Sequence, residues 1–229
     1  MLVRECTTDR ANFQTTVTNI RTRPENAPRR RRSDGERSRN AILREAGQLA
    51  TVEGISGLSI GRLANAVGMS KSGLFAHFGS KEELQVATIE MARAEFIDQV
   101  IEPASVAPTG LERVRELGES FLRYVEGGVY PGGCFFASVA AEMAMRPGPV
   151  RDGAVEVLDE FSRKLETAVR DAQAEGAIDP SEDAEQLAFE LGAYLSLANA
   201  RFAVSQRPAP IERARRALDL RITAAATSA

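Results

Sequence analysis

Tryptophan is absent from this chain, histidine occurs once, and cysteine occurs twice. Cys6 and Cys134 are too few for a disulfide framework or a four-cysteine zinc site. A lone His77 leaves little for histidine-dependent catalysis, and no acid pair, metal-spaced cluster or phosphate-cradling Gly loop accompanies it. Long apolar runs are missing as well. The longest largely apolar stretch, residues 134–141, stops at Glu142, far short of the ~20 residues a membrane-crossing helix needs. Residues 1–33 lack the apolar core of a secretory signal, and Glu5, Asp9 and Glu25 count against an organelle transit peptide. The expectation is a cytoplasmic protein with no membrane partner, no metal, no cofactor and no catalytic residues.

What is present is a chain of 229 residues, 43% hydrophobic and 27% charged, enough for one or two cores. Its formal charge of −3 is an average over unlike parts. Residues 1–90 hold 14 Lys/Arg against 10 Asp/Glu, whereas residues 91–229 hold 15 against 22. Within the first part the basic excess sits in residues 1–40, with four consecutive arginines at 29–32. A basic front on an acidic back is the asymmetry of a nucleic-acid module joined to another body. Residues 1–33, polar and without sustained period, read as a disordered basic extension.

From Glu36 onward the pattern is helical, with no period-two strand. Ile42, Leu43, Ala46, Leu49 and Ala50 mark one apolar face of a first helix, stopped at Gly54. Ser59 caps a short second helix, Ser70 a third over 71–78, and Ser80 with Glu83 forms a capping box for a fourth over about 81–101, ended by Pro103 and Pro108. A fifth helix runs over about 111–126 and a sixth over about 134–145. A long seventh follows, then an eighth opened by Asp179 and Pro180, and a ninth over about 211–225. The fold class is all-α, about nine helices. Residues 34–80 form a compact head of short helices and residues 81–229 a larger helical body.

A short helix, a Gly turn and a second short helix at residues 59–78 are the parts of a helix-turn-helix, whose second helix enters the major groove. Ser70, Ser72 and Gly73 are small enough for close approach, and Lys71 and Ser72 can donate to base edges. Ser59, Arg62, His77 and Lys81 are placed as phosphate donors. Leu74 and Phe78 point back into the head. Residues 58–84, LSIGRLANAVGMSKSGLFAHFGSKEEL, resemble the N-terminal signature of the TetR family of bacterial transcriptional repressors. The resemblance covers about 50 contiguous residues. It implies base contacts at Lys71, Ser72 and Gly73 and phosphate contacts at Ser59, Phe75, His77 and Lys81. One departure stands out: Phe75 occupies the position where the family usually has a phosphate-gripping tyrosine, so its reading here is packing.

The resemblance further implies a small-molecule pocket in the body and a dimer made by the last two helices. Phe96, Phe121, Tyr124, Phe135, Phe136, Met143 and Phe161 are the candidates to line an apolar effector cavity, with plain core as the competing reading. Leu187, Leu191, Leu195, Ala198 and Phe202 form an apolar stripe on the eighth helix; Ile211, Ala214, Leu218 and Ile222 form one on the ninth. These nine are the candidate dimer interface, a four-helix bundle with two-fold symmetry, the alternative being that they close the monomer's own core. Cys134 in its apolar run reads as a small inert hydrophobe.

The expected function is a homodimeric, ligand-responsive repressor of a near-palindromic double-stranded operator, released when an unidentified small-molecule effector favours a different spacing of the heads. The fourth helix, shared by head and body, is the expected lever. Two rivals belong to other classes. An all-helical enzyme would show turnover of a bound molecule; a sequence-tolerant architectural DNA binder would bind random and selected DNA alike.

Overall fold

A computed structural model describes residues 27–227, with side chains from residue 35. Residues 1–26 and the arginine side chains at 29–32, which carry the expected basic extension, lie outside the described set. The elements are α1 (Ala27–Glu53), α2 (Ile60–Ala66), α3 (Lys71–Phe78), α4 (Lys81–Phe96), a π turn (Ile97–Ile101), α5 (Glu102–Ser105), α6 (Gly110–Glu126), α7 (Phe135–Met143), α8 (Pro149–Ala174), α9 (Ala184–Ser205) and α10 (Ala209–Ala225). The fold is all-helical: one isolated bridge, Ile178 to Ala226, is the sole extended pairing among the described residues. α1 begins seven residues ahead of residue 34, inside the stretch read as extension.

Three serines start the head helices as their spacing predicts. Ser59 accepts from the Arg62 N–H, Ser70 from Gly73 and Ser80 from Glu83, each cap contributing about 1 kcal/mol. Only the first half of the Ser80 box forms, because the Ser80 N–H donates to the Phe78 carbonyl at 2.6 Å instead. The complete capping box is at Thr109 and Glu112, opening α6. Packing outweighs the caps. Ile42, Leu43, Ala46, Leu58, Leu63, Ala64, Leu74, Phe78 and Leu84 form the head's core, and each large side chain contributes about 1.5–3 kcal/mol by leaving water.

Two helix ends differ from expectation. The helix that starts at Lys81 does not stop at Pro103: a π turn carries it through to Ser105. The proline sits in the first turn after that register change, where a missing N–H is tolerated. The helix expected to open at Asp179 opens at Asp183, whose carboxylate accepts from Glu185 and Gln186. Asp179 instead closes a turn, accepting from Ser181 N–H and hydroxyl at 2.8 and 2.7 Å. Just ahead of it Ile178 is buried and bridged to Ala226.

The body's core gathers α4 through α10, and Ala50 and Ile55 of the head belong to the same apolar cluster. α10 lies against both α6 and α9. Arg215 clips it to Glu119 and Glu126 of α6, each at 2.9 Å. Arg221 clips it to Glu182, at 2.8 Å, and to Glu190 of α9, at 2.5 Å. This packing corrects the expected dimer stripe. Leu187, Leu191, Leu195, Ala198, Ile211, Ala214, Leu218 and Ile222 are buried within the protomer's own core, and Phe202 is packed half-buried against it. The stripe is used up closing the monomer. The large apolar residues left outside on these helices are Phe189, Leu197, Val204 and Leu220.

Candidate functional site

α3 presents Lys71, Ser72, Phe75 and Ala76 to solvent while Leu74 and Phe78 anchor it from beneath. Its front turn is preorganised: the Ser70 hydroxyl accepts from the Gly73 N–H at 3.1 Å and lies 3.2 Å from the Ser72 hydroxyl. Gly73 is half-buried behind that turn and His77 is half-buried on the following one, 6.1 Å from the Phe78 ring. Phe75 is 55% exposed; the packing role expected for it is wrong, since the inward positions of this two-turn helix are already taken by Leu74 and Phe78.

No Asp or Glu occurs between Glu53 and Glu82, so the surface of α2 and α3 carries no negative side chain of its own. Lys71 makes no ion pair among the described residues. Two of the expected phosphate donors are partly engaged within the head. Arg62 holds Glu53 through its Nε at 3.0 Å and a second, shorter bond from Nη2; that hydrogen bond lowers the Glu53 pKa and raises that of Arg62. The Lys81 ammonium donates to the Ser56 carbonyl. Ser59 and Ser70 accept at their helix caps and keep a hydroxyl proton to donate.

Sequence reasoning missed how the body grips this head. Glu142, in the last turn of α7, accepts from the N–H groups of Ile55 and Ser56 at 2.7 and 2.8 Å. Burial pushes its carboxyl pKa up, but the bonds from Ser56 and from the Ile55 N–H, with Arg146 nearby, win and leave it lowered. Arg146 donates to the Ser56 hydroxyl at 2.8 Å, and Gln85 of α4 donates to the Ile55 carbonyl at 2.6 Å. The loop before α7 makes a second contact. The Tyr130 hydroxyl donates to Glu95 at 2.5 Å. Gly132 sits so close to α1 that a Cβ would lie 2.2 Å from the Thr51 carbonyl oxygen. Gly133, at φ +85°, lies against Asn199 of α9, whose Oδ1 accepts from the Cys134 N–H at 2.7 Å. The run YPGGC thus ties the end of α1 to α9.

The expected effector-lining residues divide. Phe96 is the hub of an aromatic cluster, edge-on to Tyr124, Phe136, Phe161 and Phe121 at 5.4 to 6.3 Å, with Phe135 edge-on to Phe136 at 5.3 Å. All six are buried. Phe96, Tyr124, Phe135 and Phe136 therefore pack on one another rather than around a cavity, because edge-to-face contact at interior density leaves no room. Met143 lies elsewhere, at the head junction, where its sulfur accepts from the Ser56 hydroxyl at 3.5 Å. There it lines a cavity beside Lys81 and Gln85, whereas Phe121 and Phe161 reach a separate one of about 270 Å³ bounded by α6, α7, α8 and α9. Cys134, also on its wall, is fully buried, and burial raises its thiol pKa to about 11. Among the described residues no three His, Cys, Asp or Glu side chains come together as a metal site, and no helix is long and apolar enough to cross a membrane.

Residues 42–88 match the family of bacterial regulatory proteins called tetR, and residues 110–218 match the tetracyclin repressor-like C-terminal domain. The transcriptional regulator AcuR of Cereibacter sphaeroides is 27% identical over 175 residues, covering 73% of this chain and 75% of that protein. A TetR transcriptional regulator from Chloroflexus aurantiacus superposes with a TM-score of 0.79 at 26% identity, covering 86% of this chain and all of that one. AibR, solved in complex with isovaleryl coenzyme A and operator DNA, superposes at 0.62 with 23% identity over 79% of this chain and 95% of its own.

Proposed function

Because this chain belongs to the TetR family of bacterial transcriptional regulators, we propose that it is a cytoplasmic homodimeric repressor, not an enzyme, binding a near-palindromic operator and released by a small-molecule inducer. The observation that carries the reading is the acid-free surface of α2 and α3, fronted by exposed Lys71 and Ser72 on a serine-capped helix. In this reading residues 34–80 are the DNA-binding unit and 81–229 the effector and dimer unit. Lys71, Ser72 and Gly73 meet base edges. Ser59, Arg62, Ser70, His77 and Lys81 meet phosphate, Arg62 and Lys81 by turning outward from their partners in the head. The dimer forms through the outward faces of α9 and α10, at Phe189, Leu197, Val204 and Leu220, which are 63–88% exposed in the protomer. Desolvating such a row is favourable at roughly 25 cal/mol per Å².

The test is operator selection from random duplexes followed by gel shifts. Lys71→Ala and His77→Ala are each expected to weaken binding at least ~10-fold, the loss of a charge-assisted contact. Wild-type affinity in both variants would show that another surface reads the DNA.

A further inference from the structure

The cavity of about 270 Å³ between α6, α7, α8 and α9 has Phe189 and Ala193 at its rim, on the side of α9 assigned above to the dimer, so the partner subunit closes its mouth. Phe121, Phe161, Leu158, Ala137 and Cys134 form much of its wall, and no charged side chain lines it. Its one buried amide is Asn199, 6% exposed. The Cys134 N–H identifies the amide oxygen, and the amide nitrogen has no acceptor among the described residues while Asn199 faces the cavity. That nitrogen is not sealed off from the cavity space, so an occupant bearing an acceptor can take its proton in place of water.

We propose that this cavity is the effector site and that its occupant is a small uncharged aromatic compound with a carbonyl-type acceptor. The acceptor takes the Asn199 Nδ2 proton while the ring lies against Phe121 and Phe161, themselves stacked at 5.5 Å. An ionised occupant is excluded because the wall offers no counter-charge, and an unpaired buried ion is far costlier than a neutral group. The volume suits a fragment, lying below the ~300–1,000 Å³ of sites for drug-sized ligands. Asn199 also holds the Cys134 N–H at the entrance of α7, whose other end holds the head through Glu142. An occupant drawing on the amide is therefore one element away from the DNA-reading unit. Binding stands on the cavity alone; its consequence for DNA rests on the regulator reading above.

The test titrates the full-length protein calorimetrically with acetophenone, benzoate and ethylbenzene. Acetophenone is expected to bind, and benzoate and ethylbenzene at least ~10-fold more weakly, the first for its charge and the second for its missing acceptor. Asn199→Ala removes the donor, so acetophenone affinity falls by a similar factor. Gly192→Leu is the second variant. It lines the cavity, and a Cβ there meets nothing within 4 Å, so it obstructs the space without touching Asn199 and also weakens binding. The assignment is overturned by no acetophenone binding, by benzoate binding as well or better, or by both variants binding as wild type. Gel shifts on selected operator separate the two readings. Operator binding without acetophenone binding sinks the cavity assignment alone; acetophenone binding by a chain that ignores all DNA sinks the regulator reading alone.

Discussion

Glu142 is the residue on which head and body meet most tightly, and its chemistry has a sign. Its pKa is lowered in the folded protein, so the bonds it makes stabilise the fold fully above the unfolded carboxylate value of about 4.3. That stabilisation is lost as pH falls through the lower folded value. Glu142→Gln is expected to cost about 1–3 kcal/mol at pH 7, the range for hydrogen bonds to a charged group. The gap between variant and wild type should close as pH drops from about 5 towards 3. Denaturant unfolding at stepped pH measures this, and a gap that persists unchanged at pH 3 refutes it. Little in the sequence flagged Glu142, which reads only as the residue that ends an apolar run; its partners are backbone groups 86 and 87 positions away. Lys71 and Ser72 were legible because helix caps and turns are local and leave their mark within a few residues.

At the scale of elements, α2 and α3 begin and end where capping serines and turn glycines place them. The failures share a cause: they depend on what packs against the element. Pro103 reads as a terminator until a π turn absorbs it, and the apolar stripes of α9 and α10 fit a monomer core and an interface equally well. The aromatic residues taken for a cavity lining have a helical spacing that fits both uses, and mutual packing decided for core. α4 was the expected lever, and it does join head and body through Gln85; α7 and the loop before it add a second connection. Gly132→Ala tests that connection. A methyl 2.2 Å from the Thr51 carbonyl forces the loop off α1, with an expected loss of about 1–3 kcal/mol. Thermal unfolding and gel shifts on the same samples read it out; unchanged melting temperature and operator affinity would mean the loop contact is incidental.

For the whole molecule, the buried stripe shifts attention to the outer side of α9. Phe189 and Leu197 are 71% and 63% exposed and lie eight residues, roughly two turns, apart on one helix. The double variant Phe189→Glu, Leu197→Glu is expected to sediment as a monomer where the parent sediments as a dimer, and to lose most operator affinity because each half-site alone is bound weakly. A variant that remains dimeric places the interface elsewhere. The body holds the turn between α1 and α2 through that turn's peptide groups, the Ile55 and Ser56 N–H groups and the Ile55 carbonyl, and through the Ser56 hydroxyl, with the Thr51 carbonyl lying against Gly132. Peptide groups are the same whatever side chains they carry. A head transplanted from a relative, keeping this turn's backbone path with Ala50, Ile55 and Ser56 but bearing a different α3, should therefore seat on this body unaided. DNA specificity and effector specificity are in that sense separately interchangeable parts, free to be recombined without redesigning the joint.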